Sequence, residues 1–561
     1  MLPATGCRHR GATVRGHPLI CPGHTLTFEF AEKTALRGAA HGSQSGLVML
    51  ATAHSAVLVG LAAHPVRVEV QATRGVPAFE LVGLAEVAVR ESRVRVKSAL
   101  AQLGVDISEY RLVVNLAPAD VKKRGSAFDL AIAVATLVSL KMIPEDALGD
   151  VLFLGELSLD GTLHPLRGLV AHLLGARERG VARVIVPAAN EREASLVDGI
   201  EVVVAEKLSE VVAALRGSGD LPRATARPDE LPPLSFDDLG DVRGQTNARR
   251  ALEVAAAGAH NLLFIGPPGA GKTMLARRLP GILPSLARDE ALEVMAVQSV
   301  AGLESASRRL GHRPFRAPHH TASDVALVGG GELSRPGEVS LAHNGVLFLD
   351  ELSEFRRGTL EALRQPLEDG FVTISRAQIT ATFPARPMLI GATNPCPCGH
   401  RGGASDRCRC REEQVRAYRA RLSGPLVDRL DIHVVLPPVD VLALRGRACG
   451  EPSALVRERV ERARVVQRAR KDDGETRASA NAHLSVKEVD RVCALDDVGG
   501  KILESAVRRM GLSARAYGKI LRIARSIADL DGAVAIQSAH VAEAIGMRVL
   551  DRGDLSAAAA A

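Results

Sequence analysis

Gly266-Pro-Pro-Gly-Ala-Gly-Lys-Thr273 decides how the rest of the chain is read. It satisfies G-x-x-x-x-G-K-[ST] at every fixed position. The preceding run, Asn261-Leu-Leu-Phe-Ile265, is short and apolar and reads as a buried strand. Met274 to Arg278 read as the start of a helix. Strand, glycine-rich turn and helix make a cradle for phosphate. Gly266, Gly269 and Gly271 let backbone N–H groups approach the anion, with Pro267, Pro268 and Ala270 between them, and the helix N-terminus adds a favourable dipole. Lys272 would reach the β- and γ-phosphates of ATP, and Thr273 would hold Mg²⁺.

A matching stretch lies downstream, Gly345-Val-Leu-Phe-Leu-Asp-Glu351. Four apolar residues end in two carboxylates, which are costly at a strand end unless they meet a cation. Asp350 would join the Mg²⁺ shell, and Glu351 would orient and deprotonate the attacking water. The two motifs together imply ATP hydrolysis on a parallel α/β sheet.

The chain has 561 residues, so two to four domains are expected. Net charge is +7 and the isoelectric point is about 9.1, a balance that permits nucleic-acid contact without demanding it. The longest strongly apolar run, Leu130 to Leu140, is too short for a bilayer. Of eight cysteines, four cluster between 396 and 410, unlike a secreted disulfide framework. A cytoplasmic protein without membrane attachment is expected.

Residues 1–48 mix Gly, His, Arg and Pro without a lasting period. They read as a disordered tail or as sequence upstream of a start near Met49. From there to 216 the pattern is α/β. Strands are expected at Ser55–Leu61, Val66–Gln71, Arg111–Leu116, Val151–Leu157 and Arg183–Val186, with helices at Glu86–Leu103 and Ala127–Leu140. A Pro-rich linker is expected at 217–235, and an ATPase domain at 236–440, in which Asp241 to Asn247 precede a helix and are placed near adenine. A helical lid follows at 441–550 and a frayed Ala-rich tail at 551–561.

Within the ATPase domain, Arg313-Pro-Phe-Arg-Ala-Pro-His-His-Thr321 reads as an insertion loop facing the centre of a ring, and Phe371 to Phe383 as a β-hairpin. Asn394 ends the apolar strand Met388–Ala392, where it can polarise the attacking water. Cys396, Cys398, Cys408 and Cys410 can close a tetrahedral Zn²⁺ site, although Cys-x-Cys is tighter than the usual spacing; reduced loop thiols are the other reading. Arg429, between Asp428 and Asp431, reads as an arginine finger for a neighbouring subunit's ATP, held by those two acids; a surface salt bridge is the alternative. Arg515 opens a lid helix, close to where a lid arginine would touch the γ-phosphate.

Two resemblances follow. Lys123-Arg-Gly-Ser-Ala127, then Gly155-Glu-Leu-Ser-Leu-Asp-Gly161 and its continuation to Leu169, resembles the proteolytic domain of Lon-type proteases. That family cuts peptides with a Ser–Lys dyad. Here Ala127 falls at the serine position, with Ser126 one place early, and His172 falls at the lysine position. The resemblance therefore implies a fold kept for assembly or binding. The ATPase and lid motifs, GPPGAGKT, RAPHHT, LRQPLEDG, NPCPCG and GPLVDRLD, resemble the magnesium-chelatase-like AAA+ ATPases, specifically the ComM/YifB family. That resemblance implies an ATP-driven homo-oligomeric ring, a hexamer, acting on single-stranded or branched DNA. It gives nucleotide roles to Lys272, Thr273, Asp350, Glu351, Asn394, Arg429 and Arg515. The alternatives are a chelatase subunit that drives Mg²⁺ into a porphyrin, or a Lon-like protease.

Overall fold

Alternating small and apolar residues set up the front half of the chain. Met49–Val59 (β1) and Ala62–Arg74 (β2) pair antiparallel through a turn at Gly60 and Leu61, and Val59 faces Ala62. Both strands run longer than the apolar cores that mark them in the sequence, because ladder bonds continue over His54, His64 and Arg67. Ala78–Val82 (β3), Val87–Gln102 (α1), Tyr110–Ala117 (β4) and Asp129–Ser139 (α2) follow. Val151–Phe153 (β5), Leu169–Glu178 (α3), Arg183–Pro187 (β6) and Glu201–Ala205 (β7) complete a seven-stranded sheet, ordered β3-β4-β2-β1-β5-β6-β7. The expected strand Val151–Leu157 is split. Leu154 still donates to the Ile185 carbonyl, the chain leaves the ladder at Gly155, and Glu156–Leu157 forms a separate two-stranded ribbon with Leu163–His164. Helix α2 is buried along its whole length.

The computed structural model describes residues 49–225, 236–303, 311–331, 334–376, 379–401, 407–422, 424–438 and 450–552. The expected N-terminal tail, most of the linker, the hairpin tip at Ala377, Ser423, the boundary near 440 and the C-terminal tail lie outside the described residues.

The second sheet is parallel. Thr246–Gly258 (α4) leads to Leu262–Ile265 (β8), and Lys272–Ile282 (α5) and Arg288–Ala301 (α6) follow. Phe315–Arg316 (β9), Val346–Leu349 (β10), Met388–Thr393 (β13) and Ile432–Val435 (β14) complete it, in the order β9-β10-β13-β8-β14. Between β10 and β13 in the chain, Phe371–Arg376 (β11) and Ile379–Pro384 (β12) form the expected hairpin. Glu412–Arg419 (α7) precedes β14. Strands β8, β10 and β13 are buried at every position, as a parallel sheet covered on both faces requires.

Helix α6 shares a core with the front half. On α6, Leu292, Met295 and Ala296 are buried in one cluster with Leu169 and Leu173 of α3. The N–H of Gly168 donates to the Ser299 carbonyl at 3.2 Å, and Gly168 stands at φ 78, where a Cβ would come 2.5 Å from Leu58. Composition separates the two halves; packing does not.

The C-terminal region is helical: Ser453–Asp472 (α8), Val486–Val492 (α9), Asp497–Met510 (α10), Ala514–Leu530 (α11) and Ser538–Gly546 (α12). Ser485, Asp496 and Ser513 cap the three middle helices by accepting from a backbone N–H one turn on. Among the described residues, no helix is long and apolar enough to cross a membrane.

A buried charge pair joins this region to the sheet. Asp431, at the foot of β14, accepts from Lys519 of α11 at 3.0 Å and from the Asn261 N–H at 3.0 Å. Burial alone would raise the Asp431 pKa, but the Lys519 charge and His260 hold it well below the usual carboxylate value. Asp431→Asn would leave Lys519 buried without its counter-charge, a loss of about 3–5 kcal/mol. A thermal melt at pH 7 should show a clear drop in Tm. Because the folded pKa is depressed, this stabilisation is present at neutral pH and lost as pH falls below about 4. The gap between wild type and Asp431→Asn should therefore narrow in melts at pH 3.

Candidate nucleotide site

Strand β8 ends at Gly266, and the chain turns through Gly269 and Gly271, at φ 79 and 91, into α5. Those two values explain the glycines: a Cβ would be strained at either. Gly266 is needed for space, since a Cβ there would meet the Leu436 carbonyl at 2.8 Å. Lys272 Nζ donates to the Gly266 carbonyl at 2.6 Å, the Pro267 carbonyl at 3.0 Å and Asn394 Oδ1 at 3.0 Å. Burial pulls this ammonium below its ordinary pKa, opposed by Asp350 and Glu351.

The strand order explains how Lys272 and Asn394, 122 positions apart, come to meet. Strand β13 lies between β8 and β10. Asn394, leaving the end of β13, therefore falls between the glycine loop and the two acids. Thr273 donates to Asp350 Oδ2 at 2.6 Å, and the other Asp350 oxygen accepts from the Glu351 N–H at 2.9 Å. A hydroxyl on a carboxylate, beside a cation and a row of loop N–H groups, is a donor set that fits Mg²⁺ and a triphosphate.

Glu351 has a partner the sequence did not suggest. His320 Nδ1 lies 3.1 Å from Glu351 Oε2. Strand β9 pairs in parallel with β10, so the segments that follow these strands emerge side by side. The His320 ring sits 4.1 Å from the His319 ring and packs edge-on to Phe355 at 6.5 Å. The Arg313–Thr321 loop, expected to face a ring centre, here places His320 on the acid. Glu351 itself stands at φ 51, ψ 45, a left-handed conformation uncommon for a residue with a side chain. Gln245, in the segment placed near adenine, also braces the loop, donating to the Ala270 carbonyl at 3.2 Å and the Pro437 carbonyl at 2.8 Å.

Arg429 and Arg515 lie at the other edge. Leu262 pairs with Ile432 and Ile265 with Val435 in a parallel register. Arg429 precedes β14, whereas Gly266 follows β8, so the two are separated by the strand's length, on the order of 13 Å. Arg515 follows Arg429 there, 3.5 Å from Asp428. It therefore stands away from the glycine loop of its own chain. Arg429 pairs with Glu368, and its Nε donates to the Arg364 carbonyl at 3.2 Å. The expectation that Asp428 and Asp431 hold Arg429 is corrected: Asp428 turns to Arg515 and Asp431 to Lys519. The reason is tertiary, since α11 brings two cations against this turn. Both arginines line one cleft of about 1110 Å³ between sheet and lid.

The four cysteines converge. Their ligand atoms all lie within 4.8 Å of one another, the one such potential metal-binding group among the described residues. In the front half, Ser126 hydrogen-bonds Glu156, while His172 is buried in α3 with Nδ1 unpartnered, and burial pulls its pKa to about 4. Ser126 and His172 make no pair.

Lys272→Ala removes a cation that faces both the loop and the sensor asparagine. Charge-assisted hydrogen bonds of about 1.5–3 kcal/mol go with it, so affinity for a fluorescent ATP analogue should fall by about tenfold or more. Glu351→Gln should keep that affinity and slow phosphate release by about 10²- to 10⁴-fold, the usual effect of losing a general base. A normal rate in Glu351→Gln would remove Glu351 from that role.

Comparison with known proteins agrees with this geometry. Residues 238–444 match the family model described as magnesium chelatase, subunit ChlI; 68–190 match subunit ChlI of Mg-chelatase; and 450–548 match its C-terminal model. The chain is 44% identical over 509 residues to the competence protein ComM of Haemophilus influenzae, covering 90% of this chain and 98% of that protein. It is 42% identical over 505 residues to the uncharacterized protein YifB of Escherichia coli, with the same coverage. A shorter likeness, 28% over 118 residues, links 21% of the chain to Lon protease 2 of Bacillus subtilis. With such identity along nearly the whole length of both relatives, the chain belongs to the ComM/YifB family of magnesium-chelatase-like AAA+ ATPases.

Proposed function

We propose that this chain is the subunit of an ATP-driven hexameric ring that moves on single-stranded or branched DNA. The observation that carries the ring is the split of the catalytic set. The glycine loop, Thr273, Asp350, Glu351 and Asn394 gather at one edge of the parallel sheet, and Arg429 and Arg515 at the other. A second copy brings the two edges together, and only a closed ring does so for every subunit.

In this reading, loop N–H groups and Lys272 bind the phosphates, while Thr273 and Asp350 hold Mg²⁺. Bound Mg²⁺ would supply charge neutralisation to the phosphates. Asn394 positions the attacking water and Glu351 takes its proton. The neighbour's Arg429 and Arg515 stabilise the charge that develops on the γ-phosphoryl group. One Zn²⁺ on the four cysteines completes the cofactor set. Action on DNA is supported by the basic balance of the chain and by the printed name of the Haemophilus influenzae relative, a competence protein. The porphyrin-metalating alternative leaves the cysteine cluster without a purpose, and a protease would need a dyad that Ser126 and His172 do not form.

Two measurements test this. The ATPase rate of the purified protein should rise several-fold with single-stranded or branched DNA; a rate indifferent to every DNA would sink the motor reading. Arg429→Ala and Glu351→Gln should each abolish turnover, and mixing them should restore part of it. One class of mixed interface then joins an intact Glu351 to an intact Arg429. Mixed rings that assemble yet stay inactive would place Arg429 in its own subunit's chemistry or in structure alone.

A further inference from the structure

Between Asn394 and Glu412 the sequence holds no Val, Leu, Ile, Met, Phe or Tyr. Among its described residues Pro395, Cys396 and Gly399 are buried and the rest are not, so hydrophobic burial anchors only its beginning. Among its described residues, the groups that converge are the four thiols. Cys396 Sγ lies 3.4 Å from that of Cys398 and 3.8 Å from that of Cys408, and Cys398 and Cys408 are 3.7 Å apart. Four sulfurs bonded to zinc at about 2.3 Å in a tetrahedron stand roughly 3.8 Å from one another.

This segment touches the nucleotide machinery directly. Asn394, which accepts from Lys272, is two residues before Cys396. Gly399, the residue after Cys398, stands at φ 82 against the phosphate loop. A Cβ there would come 2.6 Å from Pro268 Cδ, 2.9 Å from Pro268 Cγ and 3.8 Å from Asn394 Cγ. The other two thiols lead into α7, whose Tyr418 hydroxyl accepts from Ser353 Oγ at 2.5 Å. Ser353 in turn accepts from Thr393, the last residue of β13, at 3.2 Å. The cysteines thus tie the exit of the sensor strand to the start of a helix anchored beneath that same strand.

We infer that Cys396, Cys398, Cys408 and Cys410 form a structural zinc site whose task is to clamp the phosphate loop and the sensor asparagine, making ATP binding dependent on the metal. The inference rests on the nucleotide reading given above. Zinc closes a ring from Cys396 to Cys410 and holds Gly399 against Pro268. Without it, Gly399 loses that anchor, and Pro268 and Asn394 lose a wall.

The test uses the full-length protein. Elemental analysis of protein purified without chelator should find about one zinc per chain, and Cys408→Ser/Cys410→Ser should lose it. Hydrogen exchange of peptides covering 266–273 should then quicken at least tenfold while α11 keeps its protection, and affinity for a fluorescent ATP analogue should fall at least fivefold. Stripping wild type with a thiol-reactive chelator should do the same, and adding zinc back should reverse it. Gly399→Ala should keep its zinc and still lose affinity, because all four thiols remain while a Cβ there presses on Pro268 and strains the turn at φ 82. Absence of metal, iron in place of zinc, or zinc loss that leaves exchange at 266–273 and affinity unchanged would each overturn the inference. A zinc-loaded chain that shows the exchange difference but hydrolyses no ATP would support the clamp and overturn the ATPase reading alone.

Discussion

The structure depends on four buried residues, Leu262 to Ile265, paired in parallel with a strand on each side. Because all three strands point the same way, everything that follows them emerges at one edge and everything that precedes them lies at the other. The glycine loop and Asn394 follow; Arg429 and Asp431 precede. Each residue contributes ladder bonds and about 1.5–3 kcal/mol of side-chain burial, so the register is strongly fixed. The separation of the glycine loop and Asn394 from Arg429 is a consequence of this register.

Charge placement between sheet and lid follows from the same edge. Asn261, the residue before β8, donates its side-chain amide to the Arg429 carbonyl and its backbone N–H to Asp431. The turn carrying Arg429 is therefore tied to the residue that opens β8. Lys519 and Arg515, both on α11, divide the two acids between them, one buried and one exposed. The exposed pair is weak and screened, so Arg515 is free to exchange Asp428 for another anion at small cost. The buried pair is not, and it sets where the lid sits.

The front half has an intact sheet and a wholly buried α2, yet its serine serves Glu156 and its histidine is locked in an apolar helix face. Its α3 packs on α6, and Glu293 of α6 reaches His343 at 2.9 Å, ahead of β10. The front half is thus linked, through α6, to the turn that leads into β10.

The sequence by itself determined the local chemistry of this protein. Fixed spacing in Gly266–Thr273, an apolar run ending in Asp350 and Glu351, and another ending in Asn394 were legible because each needs only its own strand and turn. The helical character of the C-terminal region was legible for the same reason, since caps and apolar periodicity act within a few residues. What lay beyond the sequence was every choice among partners. That Asp431 takes Lys519 and leaves Arg429 to Glu368, that His320 meets Glu351, and that Gly399 abuts Pro268 depend on strand order and helix docking. Those are contacts between residues far apart in the chain. No local pattern encodes them, because the energy that selects one partner over another exists only once the sheet has brought both within reach.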